Sequence, residues 1–302
     1  MVSYQKKYLK ILMKVKNPIF IVSVGRSGST LLHNILSKHR NIAWLSGLVD
    51  MFPSIPELNY LFLHLIDLPF LGHQIGKNFS PWENYRFWNS FYNDFSNPGR
   101  DLIATDASKK MRKNITETFS KMVNRKRNRF LIKITGWPRI LFLKEIFPDA
   151  QFIHIVRDGR AVANSLINVD FWKGRDGTNK WRWGNLNDDM QLRWDYYENK
   201  DIALAGFQWY LITNAFRVVK SELKNDKYLE LRYEDFCENP IKMIATILNF
   251  TDLEYYDDYK KIIGQSNIQN KNNKWLNNLS SNDIHMLNSI LEEPLKHFGY
   301  KI

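Results

Sequence analysis

The chain has a single cysteine, Cys237, in 302 residues. An internal disulfide is excluded, which fits a reducing compartment and a fold held by its core. Long apolar runs are missing too. In Met1–Lys16 lysines at 6, 7, 10, 14 and 16 break every apolar group, so this is neither a leader core nor a membrane span. It reads as a solvated arm leading into a strand, with peripheral contact to an anionic membrane as the alternative. No Pro/Gly/Ser-rich linker and no repeat interrupts the sequence, which predicts one domain over 1–302. The seven histidines, at 33, 39, 64, 73, 154, 285 and 297, lack ligand spacing, so no metal is expected. Acidic residues are in the minority, 31 against 43 Lys and Arg, leaving a net charge of +12. No DNA- or RNA-binding module accompanies that charge, so nucleic acid is not the expected partner; a positive field that draws in anionic small molecules is.

What is present begins at Ile19. The apolar run 19–24 ends in Gly25-Arg26-Ser27-Gly28-Ser29-Thr30, and a helical pattern starts at once. Strand, glycine turn and helix N-terminus together hold an anion on backbone N–H groups. On the G-x-x-x-x-G-K-[ST] template Gly28 and Thr30 fit, but Ser23 stands for the first glycine and Ser29 for the lysine. Without that lysine a triphosphate grip is lost, whereas a single phosphate ester is still held. A second apolar strand, 151–156, runs into Arg157-Asp158-Gly159-Arg160 and another helical pattern, with Ser165 eight residues beyond Arg157. An arginine fork at a strand's carboxyl end suits a second phosphate.

Strand-like runs at 19–24, 102–106, 130–134, 151–156 and 228–232 alternate with helical patterns at 29–38, 111–126, 138–147, 159–168, 201–223 and 240–250. Ser280 or Ser281 caps a last helix to about 293. This rhythm predicts an α/β fold, a mostly parallel central sheet with helices on both faces. Two stretches break it and read as insertions, about 51–100 and 170–197. The second holds Trp172, Trp181, Trp183 and Trp194, either as acceptor-facing rings or as packing against the sheet.

Two anion loops in this order, without the Walker lysine, resemble the sulfotransferase family and its P-loop-like fold. Phe147–Ala150, Leu231–Phe236 and Lys274-Trp275 extend the resemblance over about 18–280. It implies 3′-phosphoadenosine 5′-phosphosulfate (PAPS) as co-substrate and in-line transfer of its sulfuryl group to a hydroxyl or amine, on a glycan or other small hydroxylated acceptor. By the same resemblance Arg26, Ser27, Gly28, Ser29 and Thr30 hold the 5′-phosphosulfate, and Arg157 with Ser165 the 3′-phosphate. Tyr233 flanks the nucleotide and Lys274 closes on it. Lys133 steadies the transition state, with Lys109 as its rival, and Ser266 touches the sulfuryl group. Many relatives carry a glutamate some twenty residues past the loop arginine, and several use it as the general base. Here Trp44–Asp50 holds no glutamate, leaving Asp50 as the nearest candidate base, with Glu57, His39 and His64 behind it. The missing anchor points to a cytoplasmic, bacterial enzyme. A catalytically weak nucleotide- or glycan-binding module remains the alternative, and Ser29 argues against a small-molecule kinase.

Overall fold

The computed structural model describes residues 15–68, 72, 75–76, 81–97 and 99–302. The N-terminal arm up to residue 14, with its membrane alternative, and His73 lie outside the described residues. Among them one sheet forms, from β1 (Ile19–Ser23), β2 (Ile42–Trp44), β3 (Arg129–Thr135), β4 (Gln151–Val156) and β5 (Tyr228–Arg232). The order is β2-β3-β1-β4-β5 with every neighbouring pair parallel. β1 and β4 are buried along their whole length, as expected of strands covered on both faces, so they read as unbroken apolar runs rather than alternating ones. The helices Ser29–Leu36 and Gly159–Leu166 leave the carboxyl ends of β1 and β4, and the long helix Asp201–Ser221 packs on Gly159–Leu166 and on Ser281–His297. Gly159 makes that packing close: a Cβ there would lie 2.7 Å from the Trp209 indole, which is fully buried core.

One expectation needs correction, one strand is added, and one open alternative is decided. Residues 102–106 are not a strand; Ala104–Asp106 is a 3₁₀ turn. Asp106 accepts the Ile103 N–H at 2.8 Å and two bonds from Arg100, so a side chain takes what a ladder would have supplied. β2, with three residues, is too short to show a period and went unpredicted. In the second insertion Trp172, Trp181 and Trp194 are buried, and Trp172 donates to Gln208 Oε1 at 2.8 Å and Trp194 to the Lys200 carbonyl at 3.1 Å. Packing, not a row of open rings, is what they provide. The last helix, capped by Ser280 and Asp283 as a reciprocal box, continues through Pro294 to His297.

Candidate active site

The register brings the functional loops to one edge. Ser23 of β1 lies beside Thr135 of β3, and Val156 of β4 beside Arg232 of β5. The Gly136 N–H extends the pairing to the Ser23 carbonyl at 2.9 Å. The turn after β1 needs two left-handed residues, Arg26 (φ 71°) and Gly28 (φ 90°). Gly28 is also pressed from outside: a Cβ there would sit 2.3 Å from the Tyr233 ring. Tyr233 directly follows β5, so the last strand sets the floor beneath the first loop. The helix Ser29–Leu36 then opens with N–H groups that no helical carbonyl accepts.

Above these groups is a cavity of about 470 Å³, lined by Arg26, Gly28, Thr30, Arg157, Tyr233 and Lys271 among others, with no carboxylate in its wall. Arg157 ties the wall together. Its Nη1 donates to the Arg26 carbonyl (3.0 Å), Nη2 to the Lys271 carbonyl (2.8 Å) and Nε to Asn272 Oδ1 (3.2 Å). Its guanidinium lies 4.5 Å over the Tyr233 ring. Tyr233 Oη in turn donates to the Gln269 carbonyl (3.2 Å) and accepts the Lys271 N–H (3.3 Å). Ser165 is drawn in through a different partner from the one expected: its Oγ accepts from Arg26 Nε at 2.9 Å. Lys271, not Lys274, lines the cavity; Lys274 is exposed at the start of the short helix Lys274–Asn278. Ser266 spends its hydroxyl on the Ile262 carbonyl.

A second cluster adjoins the first. Side chains alternate along β3, so Leu131, Lys133 and Thr135 share the face toward the helix Ser29–Leu36. Lys133 Nζ donates to Thr30 Oγ1 at 2.8 Å and lies 3.3 Å from Glu83 Oε1. Thr135 Oγ1 donates to the same Glu83 oxygen at 3.1 Å, and Tyr85 Oη donates to the Thr135 carbonyl at 3.0 Å. Lys133 is only 3% exposed and Glu83 16%. Burial pulls the Lys133 pKa down, the Glu83 carboxylate opposes that, and the Arg26 charge adds to it. One turn along, His33 is buried and held neutral, its pKa lowered to about 3 by burial and then by the Lys133 charge.

Glu83 was not foreseen. It lies in an irregular stretch between Trp82 and Asn84, where neither period nor motif marks it. The expected carboxylate, Asp50, has another partner: its Oδ1 accepts the N–H groups of Arg86 (2.8 Å) and Phe87 (3.4 Å) at the start of the helix Tyr85–Asn89. Glu57 pairs with Lys121 at 3.2 Å. The buried His39 sets Nε2 2.9 Å from the Glu254 carbonyl, and the exposed His64 packs edge-on against Tyr60. Lys109 is exposed at the start of the helix Lys109–Met122. Ser27 and Ser29 are buried within the loop. Among the described residues no group of three or more His, Cys, Asp or Glu is arranged to hold a metal.

Three solved structures share the fold. A sulfotransferase from Mycobacterium avium aligns over 96% of this chain and 79% of its own, with TM-score 0.61 and 15% identity. One from Mycobacterium tuberculosis aligns over 92% and 77%, with TM-score 0.52 and 16% identity. The sulfotransferase domain of the Synechococcus olefin synthase aligns over 95% and 97%, with TM-score 0.50 and 18% identity. No curated protein sequence matches the chain. The model of the sulfotransferase family matches residues 18–258, a span that takes in the loops after β1 and β4, Lys133, Glu83 and Tyr233, and on that match the chain belongs to the sulfotransferase family.

Proposed function

We propose that the chain moves a sulfuryl group from PAPS to a hydroxyl on a glycan or other small hydroxylated acceptor, with Glu83 as the general base. The observation that carries this reading is the Lys133 ammonium shared between Thr30 of the anion loop and the Glu83 carboxylate. A cation for the transferring oxygens and a base for the acceptor proton are what in-line displacement needs. The cavity fits the donor on its chemistry. It is cationic, free of carboxylates, opens on a helix N-terminus, and at about 470 Å³ falls in the range of nucleotide-sized sites.

PAPS supplies an activated sulfur whose bond to the 5′-phosphate breaks as the bond from the acceptor oxygen forms. Glu83 takes the proton from that oxygen. Lys133 and Arg26 meet the charge that builds on the sulfonyl oxygens and the departing phosphate. The N–H groups of Ser29 and Thr30 steady the same end, and Ser27 and Gly28 shape the turn that presents them. Arg157, Ser165 and Tyr233 hold the 3′-phosphate end, with Lys271 taking the closing part expected of Lys274. Glu83 also answers the binding-module alternative, which rested on the want of a base.

The test is calorimetry with 3′-phosphoadenosine 5′-phosphate, joined to an acceptor screen on PAPS. The product should bind at micromolar Kd, ATP with Mg²⁺ should not match it, and Arg26→Ala should abolish it. Glu83→Gln should keep that affinity and lose about 10²–10⁴ in kcat. Full turnover in Glu83→Gln removes the base assignment, and equal affinity for ATP removes the donor.

A further inference from the structure

We infer that the second insertion, together with Asn97 and Gly99, builds a separate site for an anionic, polyhydroxylated chain, namely the stretch of an acidic glycan that flanks the sulfated sugar. The inference deepens the proposed function and rests on it. The site is a cavity of about 720 Å³, larger than the donor cavity. Its wall carries Lys173, Lys180 and Arg182 with the amides of Asn97, Asn179 and Asn185, and no carboxylate. All three cations are exposed. Lys180 meets Asp176 at 3.2 Å, but with both partners largely in water that pair is weak and easily exchanged for a ligand anion. Amides donate and accept to sugar hydroxyls, while lysine and arginine meet carboxylates or sulfates. No large aliphatic side chain lines the cavity, so a lipid tail finds little to bury there.

Position connects this cavity to the chemistry. Gly184 and Gly99, on its two walls, meet so closely that a Cβ on Gly184 would fall 2.5 Å from the Gly99 carbonyl oxygen. Trp181 Nε1 donates to the Gly184 carbonyl, which fixes the wall from within. Trp183, between the lining residues Arg182 and Gly184, lies against Gly136, where a Cβ would come within 2.7 Å of its ring. It also meets Trp137 edge-on, with ring centres 6.4 Å apart. Gly136 follows Thr135, the residue that donates to Glu83. One indole therefore stands between the reacting edge of β3 and the cationic cavity. A glycan that offers one hydroxyl to Glu83 can run past Trp183 and set its neighbouring acidic sugars among Lys173, Lys180 and Arg182.

The experiment titrates the full chain, with 3′-phosphoadenosine 5′-phosphate present, with a short oligogalacturonate, a neutral malto-oligosaccharide of the same length, and inorganic phosphate. Oligogalacturonate should bind, the neutral oligomer and phosphate should not match it, and affinity should fall as salt rises. Lys173→Gln with Arg182→Gln should weaken oligogalacturonate about tenfold or more and leave nucleotide affinity unchanged. Both residues are exposed, so the variant should keep its unfolding midpoint. Equal binding of the neutral oligomer, an unchanged affinity in the double variant, or no oligogalacturonate binding at all would overturn the site. If the nucleotide fails to bind while oligogalacturonate behaves as stated, the cavity stands and the sulfotransfer reading falls.

Discussion

Gly28 answers two demands at once, a positive φ and the face of the Tyr233 ring. Either alone would disfavour a side chain; together they require the turn or the Tyr233 ring to shift. Gly28→Ala should lower stability by ~1–3 kcal/mol and weaken the nucleotide more than Lys274→Ala does, as read by urea unfolding and calorimetry. Lys133 allows a second prediction. Burial favours its neutral form, so its proton leaves below the usual lysine range near ~10.4. Nucleotide affinity should therefore fall on the alkaline side earlier than an exposed lysine would dictate. Glu83→Gln, which removes the opposing carboxylate, should move that limb to still lower pH. The loop residues and Arg157, which meet at one cavity, were legible because the strand, turn and helix spacing that places them shows in the sequence. Glu83 was not, since it reaches Lys133 from an irregular stretch across the fold.

Among the elements, the short helix Tyr85–Asn89 depends on a distant cap. Asp50 supplies it by accepting the first N–H groups, a carboxylate at the positive end of the helix. Asp50→Ala should cost ~1 kcal/mol in a thermal or urea melt. That helix begins with Tyr85, which bonds the Thr135 carbonyl beside Glu83, so kcat should fall while nucleotide affinity holds. A direct base role for Asp50 predicts instead a kcat loss as deep as that of Glu83→Gln. The legibility of elements follows the same physics. β1, β3 and β4 were readable as mostly apolar runs, and β5, Tyr-Leu-Glu-Leu-Arg, as a short strand-like one. The 102–106 run matched that pattern, but the carboxylates of Asp101 and Asp106 bind backbone N–H groups of their own, and no strand forms.

For the molecule as a whole, three buried histidines work against the fold in acid, while Asp101, its pKa raised to about 6 by burial, works the other way. His33, His39 and His154 sit in separate places, and burial lowers the pKa of each, His33 to about 3. Folding favours their neutral forms, whereas the unfolded chain takes up protons near ~6.5. Their contribution to stability is therefore full above that pH and is lost as pH falls, by ~1.4 kcal/mol per unit for each histidine until its folded pKa is reached. Urea midpoints should be flat from pH 8 to 7 and drop steadily from pH 6 to 5. His33→Gln should flatten part of that slope.

The strand order has a consequence in time. β1 precedes the other four described strands in the sequence, yet it ends up in the middle of the sheet, between β3 and β4. Its nearest partner is residues 129–135, more than a hundred positions later. Until then a strand with four apolar residues in a row has both edges open, and the nascent chain carries its own aggregation hazard for the length of that wait. The cavity beside the loop after β1 is completed later still, when Tyr233 and Lys271 have emerged. Yield in a cell should thus depend on holdase chaperones and on translation speed through residues 24–129, more than the finished protein's stability would suggest.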